Sequence, residues 1–384
     1  MLREASVPRA HWRARCEQLG FSYHSIDGTY WDESARYRFE AREIDILEAA
    51  TEELHRLCLK ACERVVALQR FEEFAIPRAF WPLITASWRA FADGGEATGD
   101  AWSLFGRFDL AWAGAGPPKL LEYNADTPTA LLEASVVQWQ WLREVAPTAD
   151  QFNSIHEKLI ARWRTLRTTA FAGETLYFAC VRNSDEDLGN VEYLRDTAIQ
   201  AGFDTRHIAV EDIGWDRSRN VFVDLEGQPL RALFKLYPWE WLARDRFGMH
   251  VPSTPTRFIE PPWKMILSNK AILAVLWEMF PGHPNLLPAS RDAGRIRGDA
   301  VRKPLLSREG ANVSLHGSRT MMSGGSYGAE GYVYQAYCPL YSAAGQYAVI
   351  GSWVVGDEAA GIGIREDASP ITRNTSRFVP HYFS

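Results

Sequence analysis

The sequence predicts a mixed α/β fold in two lobes, and three observations lead there. Helical and extended patterns alternate between residues 150 and 260, as they do where a small parallel sheet is built. The run from Phe105 to Asn124 reads as two short strands joined by a Gly/Pro-rich turn from Gly114 to Pro118. The 384 residues exceed what one hydrophobic core usually holds. The junction falls at Ile259-Glu260-Pro261-Pro262, dividing the chain into a helical and βα region, 1–260, and a second region, 261–384.

The elements follow in order. After a turn-rich start the first 95 residues read as mostly helical, with Asp32, Glu33 and Arg36 near the start of one helical stretch. A long helix comes next, its buried stripe marked by Ile44, Leu47, Leu54, Leu57, Ala61, Val65 and Leu68. Cys58 and Cys62, four apart on this helix, could be half of a metal site, but no second Cys or His pair completes it, and small core side chains fit better. Beyond the hairpin, Thr127 suits a helix N-cap and Pro128 a first helical position, with Leu131, Leu132, Val136, Trp139 and Leu142 at helical spacing. Then come a helix near Ile155 to Arg167, a strand at Thr175 to Arg182, a helix at Val191 to Ala201, and strands at Phe203 to Ala209 and Ala232 to Leu236. In the second region Ser268 can cap a helix holding Lys270 in its first turn and burying Leu273, Leu276, Trp277 and Phe280. Strands are expected at Val301 to Leu305, Tyr332 to Ala336, Tyr347 to Val355 and around Gly361 to Arg365.

The hairpin carries the chemistry. Arg107 and Asp109 are two apart, as are Glu122 and Asn124, so each pair shares one face of its strand. Two carboxylates and an amide oxygen suit Mg²⁺ with a nucleotide phosphate, since magnesium takes hard oxygen ligands and keeps positions for water and phosphate. A solvated hairpin with a surface ion pair fits the same residues equally. Lys270 at a helix start opposes the helix dipole and invites an anion, although an exposed lysine with no ligand remains the simpler reading of that argument. Between Ser307 and Gly331 the glycines 310, 317, 324, 325, 328 and 331 form neither GxxxxGK[ST] nor GxGxxG, so neither a P-loop nor a Rossmann site is indicated.

Arg-Phe-Asp at 107–109 followed by Glu-Tyr-Asn-Ala-Asp at 122–126 resembles the metal-binding segment of the ligase domain of glutathionylspermidine synthetase and its single-domain bacterial relatives, the acid–amine ligases. The resemblance continues through Lys270, Lys303, the glycine-rich stretch and Arg365, covering most of the chain. It implies an ATP-grasp fold with an associated small βα lobe, and an ATP-dependent ligase that joins a carboxylate to an amine through an acyl phosphate. It further implies Mg²⁺ on Asp109, Glu122 and Asn124, and nucleotide phosphates on Lys270 and Lys303. The loop containing Gly310 would close over the triphosphate, with adenine along the edge from Gln335 to Cys338. Arg107 and Arg365 would be catalytic, facing the transferring phosphoryl group, and Thr127 would contact the acid. The acid would be glutathione or a peptide and the amine a polyamine, but neither glutathione nor spermidine is secured by the match. No N-terminal thiol amidase domain is recognisable. Among the acids at 185–192, Asp187 and Glu192 could attract a polyamine, although a solvated helix start explains them more simply. A nucleotide-binding scaffold without turnover and a phosphotransferase are the competing classes.

Composition sets the outer limits. With 42 basic against 48 acidic side chains the net charge is −6, and no basic tract stands out, which argues against nucleic acid as a partner. The longest apolar run, Ala271 to Trp277, is too short to cross a bilayer, and the first residues lack the apolar stretch of a signal peptide. Five scattered cysteines fit a reducing compartment, so a cytoplasmic chain is expected. Asn374-Thr375-Ser376 reads as a chance match to a glycosylation acceptor.

Overall fold

The hairpin strands sit inside a larger sheet. In the computed structural model, which describes residues 1–26, 28–94, 102–318 and 320–384, Phe105–Ala111 pairs antiparallel with Lys119–Asn124 on one side and Gln346–Val355 on the other. Glu358–Asp367 and Arg377–Val379 continue the sheet, so it joins strands from both sides of the Ile259–Glu260 junction. Alternation explains the burial: Phe108 and Leu110 are in the core, and Arg107 and Asp109 are partly exposed on the other face. The long helix Ala41–Ala67 begins with a reciprocal Glu40/Glu43 capping box and packs against Gln346–Val355, Glu358–Asp367 and the helix Ile272–Met279.

The expected parallel sheet is present in the order Arg257–Ile259, Ala232–Lys235, Leu176–Cys180, Thr205–Ala209, every neighbour parallel. Helices Ile155–Thr169 and Asp185–Gln200 pack beside it, the latter capped by Ser184 Oγ accepting from the Asp187 amide. A third, antiparallel sheet runs Ala289–Ser290, Tyr332–Ala336, Ala300–Pro304, Ser314–His316, Met321–Met322. The glycine-rich segment is therefore partly strand, with residue 319 outside the described residues.

Several expectations change. Asp32, Glu33 and Arg36 do not open a helix. Ala35–Phe39 is a strand pairing with Leu2–Ala5 and His381–Phe383, and the period-two burial of Ala35, Tyr37 and Phe39 is the reason. Leu68 lies past the end of the long helix and is exposed, whereas Cys58 and Cys62 are fully buried free thiols. Thr127 and Pro128 do not start the next helix. The backbone stays irregular to Ala130, which has a left-handed φ of 66°, and the first helical amide, Leu131, is capped by the Asn190 side chain at 2.9 Å. A π turn over Glu133–Val137 interrupts the helical repeat; past it Leu142 is buried as expected, but Trp139 is exposed and Trp141 is buried. Similarly, Ser268 does not cap the helix after it. Its hydroxyl accepts the Ala125 amide, Asn269 caps the Ala271 amide, and the helix starts at Ile272, leaving Lys270 just outside.

Candidate active site

The hairpin register brings the sequence-predicted ligands face to face. Asp109 lies opposite Glu122 and Arg107 opposite Asn124, and a bulge next to the Asp109–Glu122 pair leaves Leu121 as the extra residue between Leu120 and Glu122. The Leu121 carbonyl is taken up by Lys303 Nζ at 2.8 Å, so the irregularity anchors a lysine from the neighbouring sheet. Lys303 Nζ also donates to Gln335 Oε1 at 2.8 Å, and Gln335 Nε2 donates to the Leu120 carbonyl at 2.9 Å. The Gln335 side chain is thus spent on joining the two sheets. Nearby, the Ala336 and Tyr337 amides already donate to the Pro288 and Asp299 carbonyls.

Arg107 is held from three directions. Its Nε and Nη2 donate to Asp109 at 2.8 and 3.3 Å, its Nη1 donates to the Thr129 carbonyl at 2.6 Å, and Trp353 lies beneath the guanidinium. Burial works against its charge and Asp109 outweighs that, so its pKa is raised. Gly351 faces Asp109 across the ladder, and Arg107 crosses over it so closely that a Cβ there would stand 2.9 Å from Arg107 Cδ.

Glu122 is ionised despite its position. Burial opposes the charge, but Lys270 and Lys303 overcome it and hold the carboxyl at about 2. Lys270 Nζ is 3.1 Å from Glu122 Oε2 and donates to the Ser307 carbonyl at 2.5 Å. Burial pulls Lys303 the other way, down to about 8. Asn124 Nδ2 donates to Glu122 at 3.3 Å, and a half-turn of that amide would present its oxygen instead.

Nine of the ten sequence-predicted site residues line one cleft: Arg107, Asp109, Glu122, Asn124, Thr127, Lys303, Gly310, Gln335 and Arg365. Lys270 is the exception, sitting behind Glu122. Gly310, at a φ of 67°, presses on the segment 370–374 so closely that a Cβ would overlap the Thr372 carbonyl. Arg365 donates to the main-chain carbonyls of Ser376, Arg373 and Asn374 and lies over the Tyr30 ring.

Sequence reasoning missed two elements. Arg308 donates to Thr127 Oγ1 at 2.8 Å and pairs with Glu240 at 3.0 Å, adding a cation to the cleft wall. It was legible as the first charge after the strand bearing Lys303. Asp126, the last residue of the Glu-Tyr-Asn-Ala-Asp run, is buried and bonded to Lys235 at 2.7 Å and to the Trp239 amide at 2.9 Å, fastening the hairpin to the parallel sheet. Of the two acids considered for an amine, Glu192 is occupied by Arg195 at 2.6 Å, while burial and Glu186 push Asp187 up to about 6. Among the described residues, no group of three His, Cys, Asp or Glu is placed to hold a metal, so a cation here would depend on the Asn124 amide beside Asp109 and Glu122. That donor set, all oxygen and on one surface, fits magnesium and not a thiolate- or imidazole-seeking metal. Also among the described residues, no helix is long and apolar enough to cross a membrane.

The family profile of the glutathionylspermidine synthase preATP-grasp domain matches residues 3–384. The chain belongs to that family. A "Putative acid--amine ligase" of Haemophilus influenzae is 44% identical over 382 residues, covering 95% of each chain. A trypanothione synthetase of Crithidia fasciculata is 29% identical, and a bifunctional glutathionylspermidine synthetase/amidase of Escherichia coli 27%. This glutathionylspermidine synthase family member spans 57% and 58% of the length of those two relatives. A glutathione synthetase-like effector of Globodera pallida, solved without ligand, shares the fold at a TM-score of 0.55 and 9% identity, over 99% of this chain and 100% of that one.

Proposed function

We propose that this chain is an ATP-dependent ligase of ATP-grasp architecture that condenses a carboxylic acid with an amine. Family membership and the ligase and synthetase names of its relatives support amide formation. The observation that carries the finer reading is the single cleft in which Asp109, Glu122 and Asn124 meet Arg107, Lys303, Arg308 and Arg365. One oxygen of the acid attacks the γ-phosphorus, the bond to ADP breaks, and an acyl phosphate forms. The amine nitrogen then attacks the acyl carbon, the carbon–oxygen bond to phosphate breaks, and the nitrogen loses a proton. No nucleophile of the protein is needed, and catalysis comes from positioning and from cations facing the phosphoryl oxygens.

Arg107 and Arg365 face the transferring group, Lys303 the phosphates, and Thr127, held by Arg308, the acid. Asp109, Glu122 and the Asn124 oxygen would hold Mg²⁺, which when bound offsets phosphate charge. Lys270 keeps Glu122 ionised from behind the cleft wall. The base rests in the apolar slot of Val301, Leu315 and Leu340, because the Gln335 side chain and the Ala336 and Tyr337 amides are already engaged. The cleft offers about 210 Å³, below the roughly 300–1,000 Å³ of ordinary ligand pockets. The Gly310 contact with Thr372 must therefore open to admit nucleotide and acid together. The relatives' names suggest glutathione or a peptide for the acid and a polyamine for the amine.

The test is a screen of acid and amine pools with Mg-ATP. ADP release that requires one acid and one amine, with a condensed product of matching mass, is expected. Release with the acid alone would make the protein a phosphotransferase, and binding of ATP without turnover would make it a scaffold.

A further inference from the structure

We propose that Glu133 and Tyr30, which lie behind Arg365 and are not among the residues lining the cleft, are positioning residues that hold the Arg365 guanidinium in place. The inference rests on the reading of Arg365 given above. Arg365 makes hydrogen bonds from Nε and Nη2 to three main-chain carbonyls, and among the described residues none from Nη1. Its Cζ stands 5.2 Å from the centroid of the Tyr30 ring, so one face of the cation rests on that ring. Nothing in strand geometry alone fixes where a long arginine ends; the three carbonyls hold the guanidinium along its edge, and the ring supports its face.

The ring is itself fixed from below. Tyr30 Oη donates to Glu133 Oε1 at 2.7 Å, and Tyr23 Oη donates to Glu133 Oε2 at 3.4 Å. Asn190 Nδ2 donates to Tyr23 Oη at 3.3 Å, while its Oδ1 caps the Leu131 amide that follows the irregular turn through Thr127 and Thr129. Glu133 sits in the π turn, fully buried, where an ionisable group is costly unless it is used. One buried carboxylate thus supports both the arginine and, through Tyr23 and Asn190, the turn opposite it.

The charge state of Glu133 is set by its surroundings. Burial pushes its carboxyl up to about 7, Glu186 adds to this, and the Tyr30 hydroxyl and Arg365 oppose it. Tyr23, from the same loop as Tyr30, and Cys16, from the first helix, also face it. Both tyrosines are neutral throughout the working range, because burial raises them well above their ordinary value. As pH falls through 7, Glu133 gains a proton, the ionised acceptor for Tyr30 is lost, and the seat of Arg365 loosens.

Two measurements test this. In the ligand-free protein, the ¹⁵Nε resonance of Arg365 should follow a titration near pH 7 in the wild type, and that titration should vanish in Glu133→Gln, which keeps the shape and the acceptor. A resonance flat from pH 5.5 to 8.5, or one that titrates identically in Glu133→Gln through Glu186, would overturn the proposal without reference to any substrate. In turnover, Tyr30→Leu should lower kcat by roughly 2- to 30-fold, the span expected for losing a cation–π contact, with KM for ATP within about twofold. Glu133→Gln should remove the acid limb of the kcat profile while melting close to wild type. If Arg365→Ala is inactive but Tyr30→Leu and Glu133→Gln keep wild-type kcat and pH profile, the positioning role fails alone. If Arg365→Ala is fully active, the reading of Arg365 fails instead.

Discussion

Adding one methyl group at Gly351 should slow the reaction without deleting any charge or hydrogen-bonding group. The new Cβ would stand 2.9 Å from Arg107 Cδ, where ordinary contacts lie at 3.4–4 Å, so the arginine must retreat by about 0.5–1 Å. It cannot do so while keeping both its bonds to Asp109 and its bond to the Thr129 carbonyl. A misplacement of about 1 Å costs on the order of 10² in rate, so Gly351→Ala should lower kcat about 10- to 100-fold with KM for ATP little changed. The accompanying overpacking costs about 1–3 kcal/mol, visible as a few degrees in Tm. Steady-state kinetics on Gly351→Ala, Arg107→Ala and the double variant isolate the cause. Against Arg107→Ala the methyl meets no arginine and should be neutral within about twofold. A Gly351→Ala protein with wild-type kcat, or a second change as damaging without Arg107 as with it, refutes the reasoning.

Other perturbations probe the remaining parts. Glu122→Ala should raise the magnesium concentration needed for half-maximal turnover and weaken Mg-ATP as well as slow the reaction, read by titrating magnesium at fixed ATP. Lys303, lowered to about 8 by burial, is charged below that pH and neutral above it. Affinity for a nonhydrolysable Mg-ATP analogue should therefore fall as pH rises through 8, by up to about tenfold per unit, and Lys303→Met should flatten that dependence. The segment from Ser307 to Gly331 should be cut more slowly by protease once the analogue and magnesium are added, and equal cutting rates would remove its role as a lid.

How much of this was legible follows from where the determining partners lie. The hairpin could be read because its turn residues and its period-two spacing are local, and the same holds for the long helix and the parallel strands. The helix start at Leu131 could not, because its cap is supplied by Asn190, 59 residues away, and not by Thr127. Lys270 was placed in a helical turn because the competing uses of Ser268 and Asn269, on the Ala125 and Ala271 amides, are tertiary and local respectively and only the structure ranks them. The strand Ala35–Phe39 was legible and overlooked: Tyr37 and Phe39 alternate with Arg36 and Arg38, a strand signal amid helical neighbours. Arg308 and Asp126 were visible as charges, but their value comes from Thr127, Glu240 and Lys235, which only folding brings near.

The most direct test of the proposed chemistry follows an oxygen atom. With an acid identified by the screen and labelled with ¹⁸O in both carboxylate positions, turnover with ATP and the amine should place one ¹⁸O in each released phosphate and leave the other in the amide carbonyl. That transfer is required if the carboxylate attacks phosphorus and the amine then displaces phosphate from carbon. Phosphate free of label, with amide still forming, would contradict an acyl phosphate and with it the central assignment of the cleft.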